Sequence, residues 1–187
     1  MNPIQELSKF SNDITIFILI YIDDIIITRS SSAAIASVIY SLNKFFALKG
    51  LGSLHCFLGI DATWSNGGFH LSQSKYIKEL LQHANMLEAK PQPTPMMSFI
   101  HLIQDGSIAF KDHTLYKSIV GVLQYVTITR PEIAYFVNKV CQYMHQPQQH
   151  HWKIVKRLLR YLAGSITHGL QLTPSSSYSI KGFSDAD

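Results

Sequence analysis

Two adjacent carboxylates, Asp23 and Asp24, interrupt an otherwise apolar stretch that runs from residue 14 to residue 28. Side by side and partly desolvated, they repel each other, and a cation is the natural remedy. Hard carboxylate oxygens suit Mg²⁺, which takes one or two protein carboxylates and completes its shell with water and substrate phosphate. Two such ions, one activating the attacking oxygen and one stabilising the leaving oxygen, would support phosphoryl or nucleotidyl transfer. The dipeptide is equally at home in a tight turn, because Asp favours turns. Taken alone, the turn former is the simpler reading.

The elements that would hold these carboxylates are legible. Residues 14–22 and 25–28 are dense in isoleucine, tyrosine and phenylalanine, which predicts a β-hairpin turning at Asp23-Asp24 with both arms buried on both faces. Apolar side chains at Ile35, Val38, Ile39, Leu42, Phe45 and Phe46 fall on one face of a helix over 33–46, with an N-cap among the preceding serines. A second hairpin is expected from residues 55–64 and 68–71 through Ser65-Asn66-Gly67. A helix follows over about 74–84. Three prolines within residues 90–95 mark a linker, and 96–111 reads as irregular surface structure. Helices are expected over 115–128, from Pro131 to about Met144, and over 149–163, closed by Gly164. Strand character returns at 168–172 and 179–184.

With this context the turn residues gain meaning. Tyr21-Ile22-Asp23-Asp24 between apolar strands resembles the Tyr-x-Asp-Asp hairpin of reverse transcriptases. Further matches arrive in order: Leu51-Gly52-Ser53-Leu54, Phe57-Leu58-Gly59-Ile60, the run from Phe69 to Tyr76, Lys90-Pro91 with Thr94-Pro95-Met96, Tyr116-Lys117-Ser118-Ile119-Val120-Gly121 with Leu123-Gln124-Tyr125, Thr129-Arg130-Pro131-Glu132, His151-Trp152 with Lys156-Arg157-Leu158-Leu159-Arg160-Tyr161, and Phe183-Ser184-Asp185-Ala186-Asp187. The whole chain resembles a copia-type retrotransposon Pol polyprotein, from the reverse transcriptase palm to the opening of ribonuclease H.

That resemblance implies an α+β fold: a partial palm over 1–73, a helical thumb and connection over 74–164, and a β-hairpin stub of ribonuclease H over 165–187. It implies that Asp23 and Asp24 are catalytic and hold Mg²⁺, or Mn²⁺ in its place, and that Asp185 aligns with the first ribonuclease H carboxylate. Tyr21 would pack beside the primer terminus, and Phe57, Leu58 and Gly59 would belong to the segment that grips the primer. Its partners would be an RNA or DNA template–primer and dNTP. In the family a further metal-binding aspartate lies upstream, and only about twenty residues precede this hairpin. Asp13 and Asp61, the nearest acids, do not sit in the family's pattern. Both active sites are therefore expected to be incomplete, and groups that hold a metal pair act as a unit. The polymerase reading thus stands beside two others: a catalytically silent nucleic-acid-binding remnant, and a decayed element product without function. Open strand edges point to self-association or to an upstream Pol segment as partner.

Charge distribution can be read without any family. The 187 residues carry a net charge of +4. Residues 1–132 hold ten basic and ten acidic side chains, whereas 133–184 hold six basic and none acidic. On a helix over 149–163, Lys153, Lys156, Arg157 and Arg160 share one third of the circumference, opposite Trp152, Val155, Leu158, Leu159 and Leu162. Such a face meets either solvent or the phosphates of a nucleic acid. His145, His150 and His151 lack the spacing of a metal site and read as helix-start and surface residues. Trp64, Tyr125, Tyr135, Tyr143 and Tyr161 read as core. Cys56 and Cys141 form no disulfide or zinc pattern. The apolar run before Asp23 has nine residues, far short of the roughly 20 that span a bilayer. No signal peptide is evident, so an intracellular protein of cytoplasm or nucleus, without membrane partners, is expected.

Overall fold

The structure is a computed structural model that describes residues 5–11, 14–22, 24–29, 32–65, 67–96, 108–175, 177, 179 and 182. It is α+β and divides into two compact units, Met1–Phe57 and Leu58–Asp187. The first contains a three-stranded antiparallel sheet in the order β1 (Gln5–Ser11), β2 (Ile14–Tyr21), β3 (Asp24–Arg29), followed by helix α1 (Ser32–Asn43). β-Branched side chains favour the pleated backbone of β2 and β3. Strand β1 is new relative to the sequence reading, because its polar residues carry no apolar alternation. It pairs with β2 from Gln5 opposite Ile20 to Ser11 opposite Ile14, so one edge of the hairpin expected to lie open is covered.

Two other expectations are corrected here. Asp24, expected in the hairpin's turn, instead begins β3, paired with Tyr21. The arms are not buried on both faces: among residues 16–28 with described side chains none is fully buried, and Phe17 is exposed. Among the described residues of this unit α1 packs along β3, and one short helix cannot cover both faces. It also ends at Asn43 rather than Phe46, leaving Phe45 and Phe46 exposed.

A two-residue strand, β4 (Cys56–Phe57), precedes the boundary. In the second unit β5 (Ile60–Ser65), β6 (Gly68–Ser72) and β7 (Gly169–Leu172) form an antiparallel sheet. Ser65 pairs with Gly68, and Gly67 between them adopts φ +75°, which a two-residue hairpin connection favours. The helices are α2 (Ser74–His83), α3 (His113–Val126), α4 (Ala134–Cys141) and α5 (Gln149–Ala163), with a 3₁₀ turn at Pro131–Ile133. Their buried faces, including Ile77 and Leu81, Ile119 and Leu123, Val137 and Val140, Val155, Leu158 and Leu162, form one core. The i, i+3, i+4 spacing puts each set on one side of its helix.

Of the two C-terminal strands expected, the first is β7, which pairs with β6, Leu170 opposite Leu71, and the second lies mostly outside the described residues. Helix α4 ends three residues early. The proline linker adopts neither helix nor strand, yet it is packed, since the Gln92 N–H donates to the Arg160 carbonyl at 3.2 Å. The expected surface segment before α3 buries Phe110, whose ring stacks on Trp152 at 4.9 Å. His151, expected at the surface, is buried. It accepts from the Gln148 N–H at 3.0 Å and stacks on Tyr143, so it caps α5. Among the described residues no helix is long and apolar enough to cross a membrane.

Candidate functional site

The tip of the first hairpin brings Tyr21 and Asp24 opposite each other as the last pair of β2 and β3. Between them Ile22 has φ +51° and is 67% exposed. A β-branched residue there costs roughly 1–2 kcal/mol, so the tip stores strain. Asp24 is exposed and could offer its oxygens to a hard cation. Asp23 and Asp185 lie outside the described residues. Among the described residues, no group of three or more metal-ligating side chains comes together.

A second tight turn, Leu58-Gly59, carries φ +52° and +76°. It belongs to the second unit, Asp24 to the first. Leucine resists that backbone, and two helices hold it there. The Tyr125 hydroxyl of α3 donates to the Leu58 carbonyl. The Tyr125 ring meets the Tyr76 ring of α2 edge-on at 5.2 Å, and Tyr76 also lies against Gly59, where a Cβ would sit 3.8 Å from its Cδ2. Burial, and secondarily Glu79, push the Tyr76 hydroxyl's pKa up, so it stays protonated. Three of the collinear motifs thus converge on one turn. Replacing Tyr125 by Phe removes one hydrogen bond while keeping the ring, and should cost about 1 kcal/mol. Differential scanning calorimetry should show the second unit melting about 3–4 °C lower; an unchanged melting point would mean that the hydroxyl bond contributes nothing.

Three chain junctions meet in a buried polar cluster that the sequence reading did not find. Arg130 is 1% exposed, with Nε at 2.6 Å from Glu132 Oε1 and Nη1 and Nη2 donating to the Ser165 carbonyl at 2.8 Å and Ser165 Oγ at 2.7 Å. Its guanidinium lies over the Tyr161 ring. Beside it, the buried Thr129 hydroxyl donates to Gln73 Oε1 at 2.7 Å, and Ser74 Oγ donates to the Ile166 carbonyl at 2.9 Å. The available signal was Arg130 held between Thr129 and Pro131-Glu132 in a chain otherwise sparing of charge. Cys141 is no candidate nucleophile, because burial pushes its thiol up.

Helix α5 keeps the predicted split. Lys153, Lys156 and Arg160 are exposed, and Arg157 is half-buried with Nη2 donating to Thr94 Oγ1 at 2.8 Å. Opposite them, Ile154 joins Val155, Leu158, Leu159 and Leu162 in the core.

Comparison with known proteins gives these features a family. Residues 7–98 match the family described as reverse transcriptase (RNA-dependent DNA polymerase). The chain is 43% identical over 172 residues to the retrovirus-related Pol polyprotein from transposon RE2 of Arabidopsis thaliana, which spans 92% of this chain and 12% of that protein. It is 42% identical over 172 residues to an uncharacterized mitochondrial protein of the same plant, covering 91% of this chain and 71% of the relative. The Pol polyprotein from transposon TNT 1-94 of Nicotiana tabacum is 33% identical across the full chain and 15% of its own length. No solved structure matches. The chain therefore covers only a small part of the Pol polyproteins it resembles, and by these matches it belongs to the reverse transcriptase family of copia-type retrotransposons.

Proposed function

We propose that this chain is the part of an RNA-directed DNA polymerase that runs from the palm hairpin through thumb and connection to the start of ribonuclease H. In this reading Asp23 and Asp24 hold Mg²⁺, Tyr21 packs beside the primer end, and the Leu58-Gly59 turn with Phe57 grips the primer strand. Asp185 belongs to the ribonuclease H end. One observation carries it: the β2–β3 hairpin sets an exposed Asp24 opposite Tyr21 at a strained tip, in a chain whose family is a polymerase family. The carboxylate donors fit a hard divalent ion, which when bound would activate the attacking oxygen and stabilise the leaving one. The partners are template–primer and dNTP.

Two adjacent carboxylates are a partial donor set. Groups that hold a metal pair act as a unit, so activity is proposed to require a further carboxylate beside these two. The test is primer extension on poly-rA with oligo-dT and Mg²⁺, with and without an upstream reverse transcriptase segment of a copia-type Pol polyprotein. The chain alone should be blank, the mixture should extend, and D23N/D24N should abolish extension. A blank mixture, or extension that survives D23N/D24N, would reject the reading. A blank mixture with retained binding of template–primer favours the silent remnant instead.

A further inference from the structure

We propose that the outer face of α5, formed by Lys153, Lys156, Arg157 and Arg160, binds the sugar–phosphate backbone of a nucleic acid without reading its sequence. The inference rests on the polymerase reading only for its choice of occupant; it needs no catalysis.

The face is fixed in orientation. Ile154, Val155, Leu158, Leu159 and Leu162 are each 4% exposed or less, so the helix cannot roll without opening the core; Lys153, Lys156 and Arg160 look outward, and Arg157 lies half-buried at their edge. Among the described residues no carboxylate pairs with them. Helix α5 contains no acidic residue, and among the described residues the one ion pair joins Arg130 to Glu132. Like charges three and four residues apart, as here, destabilise a helix by a few tenths of a kcal/mol per pair. The helix dipole rewards cations only in the last turn, where Arg160 stands, and has faded at Lys153, Lys156 and Arg157. Helix stability therefore does not account for the set. A polyanion does.

Arg157 adds a second indication. Its Nη2 is tied to Thr94, and its Nε is enclosed without a partner among the described residues. The anchored side chain has less rotamer entropy to lose on meeting a phosphate. Nearby, the segment from Pro91 to Thr94 runs along the end of α5 through the Gln92–Arg160 bond. Lys153 to Arg160 spans seven residues of helix, about 10 Å, which corresponds to about three phosphate steps, and so about four phosphates, along one strand. A membrane surface is the poorer occupant. A helix that lies on a bilayer must insert its apolar face, and the apolar face of α5 is already spent in the core.

Fluorescence anisotropy of the full chain with a labelled 20-base-pair RNA–DNA hybrid, without Mg²⁺ or dNTP, tests this across KCl concentrations. Four phosphate contacts predict a log Kd against log salt slope with a share of about 3.6 from this face. K153Q/K156Q/R160Q, confined to exposed positions, should remove about 2.7 of it and weaken binding roughly 100-fold or more at 0.1 M salt. The charge-preserving K153R/K156R/R160K should bind as wild type, and each single glutamine variant should lower the slope by about 0.9. A slope that survives the glutamine set overturns the proposal. So does capture by phosphatidylserine vesicles with no binding of the hybrid. Because the assay is free of catalysis, blank primer extension by the mixture with a normal slope rejects the polymerase reading and leaves this one standing.

Discussion

Arg130→Met should destabilise the second unit by about 3–4 kcal/mol, the largest loss expected from any single polar residue here. The guanidinium sits almost wholly out of water, and its three contacts run to Glu132 and to two atoms of Ser165. Hydrogen bonds to a charged group are each worth roughly 1.5–3 kcal/mol, and removing one partner of a buried pair costs about 3–5 kcal/mol. The lower end applies, because the Glu132 side chain is 42% exposed and rehydrates once its partner is gone. Methionine refills most of the volume, so a cavity adds little. Glu132→Gln keeps an acceptor and should cost under about 1 kcal/mol. Guanidinium melts followed by far-UV circular dichroism would read both. An Arg130→Met loss below 1 kcal/mol would mean that the Ser165 contacts are incidental to folding.

Such a loss would be felt beyond one side chain, because the cluster ties together three joints of the chain. Gln73 and Ser74 close β6 onto α2, Thr129 and Arg130 close α3 onto the 3₁₀ turn, and Ser165 and Ile166 close α5 onto β7. Regular elements in this chain were legible because periodicity reports them. The apolar face of α5 and the isoleucine-rich arms of β2 and β3 declare themselves within a few residues. Joints do not repeat, so Arg130 carried no periodic signal. Strand β1 stayed hidden for the same reason: its place comes from β2, to which it pairs, and not from its own polar residues. Burial of the β2 and β3 arms was overread, since an apolar strand shows what could be covered and only the surrounding elements decide what is. Of the candidate site, the carboxylate pair and the cationic face were visible in the sequence. That Tyr125 and Tyr76 hold the Leu58-Gly59 turn was not, because the bond from Tyr125 to Leu58 links residues 67 positions apart.

Gly169→Ala should cost about 3 kcal/mol and loosen β7 from β6, although only one methyl is added. Gly169 lies opposite Ser72 at the start of β7, and a Cβ built there would collide with the Leu71 carbonyl oxygen and stand 2.8 Å from His70 Nε2. The imidazole can turn away. The carbonyl cannot, because it belongs to the neighbouring strand's backbone, so relief requires the two strands to part. Overpacking of this kind costs about 1–3 kcal/mol where side chains can adjust, and the upper end follows where backbone must move. The same substitution at Gly121 provides the control. Gly121 lies within α3, and an added Cβ there meets nothing within 4 Å. Alanine in a helix interior gains roughly 0.5–1 kcal/mol over glycine. One change of composition should therefore lower the melting point at 169 and raise it at 121. Hydrogen exchange should show faster exchange confined to the strand amides of β6 and β7 in Gly169→Ala. If both variants melt alike, the close approach of β7 to Leu71 does not exist in solution, and with it goes the assignment of residues 169–172 to this sheet.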